Sequence, residues 1–272
     1  MAEPARDDDI EDLKAADAKD VHRAVREEGE KELARPAASL AWSALAAGLA
    51  INASLVAMAL IDAAIPDTPA KPLLVALGYP IGFVVVVLGR MQFFTESTVT
   101  AMLPFAHRPS RERARRTLRL WSIVLAANLV GTLFTTGVLV HGGLVEAPVR
   151  DAMVHVAEKV LAHDAAHTFL AAIPAGFLIA GIAWLLPNGR EQAFLVIFAI
   201  TWLVGAAGFA HSVVGSAEAW VLAWVGTLGW GEALAAKIAP AVMGNLVGGA
   251  GLFTLLAHGQ VQGEDGGAKD ER

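Results

Sequence analysis

Four residues recur in the apolar part of this chain at a spacing shared by a second, independent match. Asn128-Leu129-Val130-Gly131 returns as Asn245-Leu246-Val247-Gly248, an offset of 117 residues. The same offset carries the interrupted hydrophobic stretch around Phe94-Thr95-Glu96-Ser97 onto another around His211-Ser212-Val213-Val214. If each repeat holds an odd number of membrane spans, the second must be inverted relative to the first, a construction that puts a substrate path at broken helices. The pattern predicts an all-α membrane protein with six transmembrane helices in two inverted three-helix repeats, the second and fifth helices being broken.

Composition agrees, because 55% hydrophobic and 18% charged residues in a 272-residue chain exceed what a soluble core requires. The charges gather before Arg35, between Arg108 and Arg119, between Glu146 and Asp164, and after Glu264. Between them lie six apolar segments, Ser39 to Ile61, Leu73 to Phe105, Leu118 to Val140, Thr168 to Leu186, Ala193 to Trp224 and Ile238 to Ala257. Crossing a bilayer takes about 20 residues, and the second and fifth segments are too long and too interrupted for one straight helix. Arg90, Gln92, Thr95 and Glu96 fall within the second, where a lipid-facing charge would cost about 2.5–3.5 kcal/mol, so they are expected to face protein or water. Gly205, Gly208, His211, Ser212, Gly215 and Ser216 interrupt the fifth, and non-helical backbone at that depth survives only when buried or lining a cavity. Residues 1–38 read as an amphipathic cytoplasmic segment with Ile10, Leu13, Val21, Val25 and Leu33 on one side. Residues 39–259 form the channel domain, and 260–272 a disordered cytoplasmic tail.

The loop from His107 to Arg119 carries six arginines, which predicts a cytoplasmic position for it and, with six spans, for both termini. A loop this short between two spans has no room for a nucleic-acid-binding domain. Trp42, Trp121, Trp184 and Trp224 fall near span ends, as interfacial anchors do. The chain has no cysteine, hence no disulfide or thiolate site. His163-Asp164-Ala165-Ala166-His167 sets two histidines four apart, one helical face, beside a carboxylate. Without a third strong ligand motif the segment reads as polar residues at an extracytoplasmic span entrance rather than a metal site. No catalytic site, cofactor or metal is expected.

Gly208-Phe209-Ala210-His211-Ser212-Val213 resembles the Gly-Phe-Glu-His-Ser motif of the formate/nitrite transporters, and Phe94-Thr95 resembles the Phe-Thr of that family's second-helix break. Both Asn-Leu-Val-Gly stretches resemble its Gly-Asn-x-x-Gly segments, and His167-Thr168-Phe169 the start of its fourth helix. The resemblance spans Ser39 to Gly259. It implies an aquaporin-like fold, a homopentamer with one pore per protomer in a bacterial-type inner membrane, and small monovalent anions or their weak acids as permeants. It also implies that His211 is the central pore group facing Thr95, with Phe94, Phe209, Ser212, Asn128 and Asn245 along the path. An anion crosses an apolar constriction more easily once it has gained a proton, so a proton-linked route through His211 is expected. Gly131, Gly248 and Gly249 permit the close helix packing of such a fold.

Departures from the pattern define candidate selectivity modifiers. The family's Gly-Ala-Glu-Leu-Phe-Thr-Gly-Asn reads here as Arg90-Met91-Gln92-Phe93-Phe94-Thr95-Glu96-Ser97, so a glutamate becomes Gln92 and a charge pair of Arg90 and Glu96 is introduced. Ala210 replaces a glutamate, Gly215 an asparagine, and Asp164 a vestibule lysine. These changes leave two alternatives open, a channel for a small neutral solute and a non-conducting membrane scaffold.

Overall fold

A computed structural model describes the backbone of residues 16–270 and the side chains of residues 16–262, so Ile10 and Leu13 of the expected amphipathic segment, and residues 271–272 of the expected tail, lie outside the described residues. The first helix, α1 (Ala18–Ala34), starts at Asp17, whose carboxylate accepts from the Asp20 backbone N–H, and stops before Pro36. It buries Val21, Val25 and Leu33, the stripe read from the sequence. There follow α2 (Ala37–Ala64), α3 (Lys71–Leu88) and, after an interruption, α4 (Phe94–His107). The chain continues through α5 (Arg111–His141), α6 (Ala147–Ala157), α7 (Ala165–Leu185) and α8 (Ala193–Ala206). Past a second interruption come α9 (Ser212–Trp224) and α10 (Trp230–Gln262). No strand occurs among the described residues.

Five of these helices, α2, α3, α5, α7 and α10, are long and apolar enough to cross a membrane. The sequence predicts six spans. The difference lies in the fifth apolar stretch, where α8 and α9 have 14 and 13 residues and neither alone covers the roughly 20 a crossing needs. The backbone of the last helix continues to Asp270.

Two close crossings hold the bundle together, α2 on α5 and α7 on α10. A Cβ at Gly48 would run into the Asn128 backbone, and one at Gly176 would run into the Asn245 backbone, so only glycine lets these helices approach. Outward faces stay apolar, with Trp42, Leu118, Phe134 and Leu195 all more than half exposed. The apolar stretch of α5 is only 33% buried within the chain, so most of it faces outward. In α10, wide π turns span Ala233–Ile238 and Val247–Phe253, the first just ahead of Pro240, which cannot donate a backbone hydrogen bond. The first turn carries the buried Lys237.

Candidate functional site

Both interruptions use the same backbone hydrogen bonds. At the first, the N–H groups of Gly89, Arg90 and Met91 donate to the carbonyls of Val85, Val87 and Val86. At the second, Ala207, Gly208 and Phe209 donate to Leu203, Gly205 and Val204. Arg90 and Gly208 both take positive φ, 51° and 68°, the left-handed turn that ends a helix. One buried asparagine then holds each restart. Asn128 Oδ1 accepts from the Phe94 N–H at 3.0 Å while its Nδ2 donates to Ala44 and Gln92 carbonyls at 2.7 and 3.1 Å. Asn245 Oδ1 accepts from the Ser212 N–H at 2.8 Å while its Nδ2 donates to Ala172 and Ala210 carbonyls at 2.8 and 3.1 Å.

These bonds correct the register read from the sequence by one residue. The asparagines are 117 apart, but the groups they hold, Phe94 and Ser212, are separated by 118 (212 − 94). The counterpart of His211 is therefore Phe93, not Phe94. Both are the residue just before a restarting helix, in nearly the same extended conformation, φ −121° and ψ 127° for Phe93 and φ −111° and ψ 132° for His211. Linear matching misses this because the breaks and the asparagine helices need not share one offset.

The two counterparts meet. The Phe93 ring stacks on the His211 imidazole with centroids 5.3 Å apart and an 11° interplanar angle, and Phe83 approaches the imidazole edge-on at 5.1 Å. His211 Nδ1 accepts from the Val214 N–H at 3.2 Å, capping its own helix. That bond puts the proton of a neutral ring on Nε2, which lies 2.8 Å from Thr95 Oγ1 and can donate to it. Thr95 Oγ1 is also 3.3 Å from Ser212 Oγ. Thr95, Phe94, Ser212, Asn128, Asn245 and His211 are all buried. The structure thus brings together every residue that the resemblance puts on the path, with Phe209 half-buried beside them.

A cavity opens on either side of this cluster. One, of about 340 Å³, is lined by His211, Phe209, Ala210, Gly215, Glu218 and Lys237, among others. A Cβ at Gly215 would meet no other atom, so the space there is open. Lys237 Nζ donates to the His163 carbonyl at 2.5 Å, and Lys159 also lines this cavity. Cationic charge therefore reaches this side from α10 and from the segment after α6. Asp164 turns back to cap α7, accepting from the His167 N–H at 2.8 Å. His163 precedes that cap, outside the helix, so the two histidines do not share a helical face; their rings stack 3.9 Å apart. The other cavity, of about 530 Å³, lies under α1 and is lined by Glu28, Glu32, Arg90, Gln92, Phe93 and Glu96, among others. Here Arg90 pairs with Glu28 at 2.9 Å rather than with Glu96, because the left-handed turn points it outward toward α1. Glu32, Glu218, Lys159 and Lys237 are absent from the sequence reading. Glu32, Lys159 and Lys237 meet the cluster through contacts between distant segments, which no local motif records, whereas Glu218 lies on α9 itself, seven residues and two turns after His211.

The family profile described as formate/nitrite transporter matches residues 19–259. The chain belongs to that family. The inner membrane protein YfdC of Escherichia coli (strain K12) is 36% identical over 254 residues, covering 93% of this chain and 82% of that protein. Among solved structures, one described as an FNT family ion channel superposes with a TM-score of 0.74 at 20% identity, covering 89% of this chain and 99% of the other. A pentameric formate channel with formate bound superposes with a TM-score of 0.68 at 17% identity, covering 87% and 98%. These likenesses in fold, with the apolar spans and the family match, make this an integral membrane transport protein.

Proposed function

We propose that the chain forms a channel for small monovalent anions or their conjugate acids, with six membrane-crossing segments in two inverted three-helix repeats and a proton-linked route through His211. The observation that carries this reading is the Thr95–His211 hydrogen bond, buried between two cavities at the point where two restarting helices meet. Helix N-termini carry partial positive charge, and α4 and α9 both begin at this cluster, which favours an anion without a fixed cation. Phe93, Phe94 and Phe83 supply an apolar constriction in which a bare anion is costly. An imidazole with one nitrogen on a backbone N–H and the other on a hydroxyl can polarise or pass a proton as the anion enters.

The basic loop between α4 and α5 supports a cytoplasmic position for that end and for both termini, in an inner membrane like that of YfdC. The half-exposed apolar outer faces and the fold shared with a pentameric channel support a homopentamer with one pore per protomer. The deciding experiment is stopped-flow uptake into liposomes bearing the purified protein, comparing formate, nitrite, hydrosulfide, acetate, ammonia and water at two pH values. Faster anion uptake at the lower external pH is the expected result. Flux of water or ammonia alone would overturn the reading.

A further inference from the structure

The cavity under α1 contains a carboxylate held by pore residues rather than by its own helix. Glu32 Oε1 accepts from Gln92 Nε2 at 2.8 Å and Oε2 accepts from Thr100 Oγ1 at 2.6 Å, so each oxygen has its own donor. Gln92 belongs to the first interruption, next to Phe93, and Thr100 lies on α4. Among the described residues Glu32 forms no ion pair. Burial pushes its carboxyl above the ordinary range, and the bonds from Thr100 and Gln92 pull it back. The amide is also specific to this contact. An acid at position 92 would face Glu32 with a second carboxylate, whereas Gln92 offers N–H, and its own Oε1 is buried without a hydrogen-bond partner. Close approach of α1 depends on Gly29, where a Cβ would strike the Thr100 backbone. The helix thus carries a carboxylate to the mouth of the path and fits it onto two donors there.

We infer that Gln92 and Thr100 form a carboxylate-binding subsite at the basic-loop mouth of the pore, and that Glu32 is its tethered occupant, displaced when a free monocarboxylate binds. This deepens the reading of the chain as an anion channel and rests on it. Two donors set for the two oxygens of one carboxylate suit formate or acetate as well as they suit a glutamate side chain. A ligand of so few heavy atoms binds weakly on its own, at about millimolar concentration, so a tethered competitor and a permeant can exchange.

The chain has no cysteine, which permits one reporter thiol. Ser97 lines the same cavity and is 2% exposed, so thiol modification of a full-length Ser97→Cys chain reads how often α1 leaves the mouth. Acetate replacing chloride at constant ionic strength is expected to speed modification in a saturable manner. Adding Glu32→Ala, which removes both hydrogen bonds, should raise the rate by at least about tenfold without acetate and abolish the acetate response. Thr100→Val in the same background should also raise the basal rate and weaken the acetate response. A modification rate indifferent to acetate in the Ser97→Cys chain, or an acetate response that survives Glu32→Ala, overturns the subsite. Formate flux into liposomes is measured on the same proteins. No flux from any of them, with acetate still displacing α1, would defeat the channel reading and leave the subsite standing; flux with no acetate effect would do the reverse.

Discussion

The two interruptions of the bundle share a backbone and differ in almost every side chain. Residues 89–93 and 207–211 leave the helix by the same three hydrogen bonds, turn through the same left-handed residue and restart under the same asparagine clamp. Along that shared path Arg90 stands opposite Gly208, Gln92 opposite Ala210, and Phe93 opposite His211. The first break is covered by α1, while the second opens into a cavity with Glu218 and Lys237. A repeated scaffold has thus been fitted with different chemistry on its two sides, an apolar face and hydroxyl from one and an imidazole from the other. The position of the cluster follows from the repeated backbone, and its side-chain chemistry from the residues that differ.

The strongest test of the shared scaffold removes its clamps. Asn128→Leu strands the Phe94 N–H and two carbonyls, and Asn245→Leu strands the Ser212 N–H and two carbonyls. Each stranded buried group costs about 1–3 kcal/mol, so either substitution should consume much of the stability margin of the fold. Thermal unfolding in detergent is expected to fall by similar amounts in both. A large drop in one and none in the other would break the equivalence of the two breaks.

The next test makes the second break like the first. His211→Phe installs the residue its counterpart already has, keeps an aromatic against Phe93 and Phe83, and deletes both imidazole nitrogens. Fold and assembly should persist, whereas uptake of a weak acid should fall on the order of 10²-fold and lose its dependence on external pH. Thr95→Val removes one hydroxyl at constant shape and should cost less. Wild-type flux of every solute through His211→Phe would reduce the histidine to a helix cap.

Much of this was legible in the sequence, for a physical reason. Polar and glycine residues within apolar segments are expensive at membrane depth, so Thr95, Asn128, His211 and Asn245 stand out, and the structure brings them together. The register error of one residue was not avoidable from matching alone, since only the asparagine hydrogen bonds identify Phe93 as the partner of His211. Closeness in sequence makes Glu96 the expected partner of Arg90, yet Arg90 takes positive φ and bonds Glu28, 62 residues away on α1. Glu32 and Lys237 were invisible for the same reason, as each contacts the site only after distant helices pack. The unequal division of the second and fifth stretches into short helices was readable, but the count of uninterrupted spans was not.

The covering of one break by α1 is itself testable by pH. Burial, and then the charges of His258, Arg26 and His107, push the His22 imidazole down to about 4 from the ordinary value near 6.5. His22 lies on α1, 3.2 Å from His258 Nδ1 and edge-on to Trp184, and His107 faces His258 from the end of α4. A depressed histidine stabilises the docked helix above pH 6.5, and that contribution is lost as pH falls from about 6.5 toward about 4. Glu32, pushed upward by burial, acts in the opposite sense and favours docking as it gains a proton. The protection of residues 18–34 against hydrogen exchange, taken relative to the intrinsic base-catalysed rate at each pH, should therefore fall as pH drops through the histidine window in the wild-type chain and less so in His22→Phe, which keeps the ring contacts. Protection that falls on raising pH through the same window would reverse the assignment.

The smallest effect, and the most direct comparison of the two turns, concerns the left-handed residues. A non-glycine residue at positive φ costs about 1–2 kcal/mol, which Arg90 bears and Gly208 does not. The Arg90–Glu28 pair returns little of this, since the arginine side chain is 78% exposed and such pairs contribute about 0.2–1 kcal/mol. Arg90→Gly should therefore leave the bundle unchanged or slightly more stable, while loosening the tether of α1. Gly208→Ala should do the opposite, because a Cβ there meets no other atom and the added cost is conformational alone, about 1 kcal/mol. Opposite shifts in unfolding temperature, measured with α1 docking followed separately, would mean that the two turns are one backbone device with unequal residues. Shifts of the same sign would mean that Arg90 is held by its surroundings more strongly than its exposed ion pair accounts for.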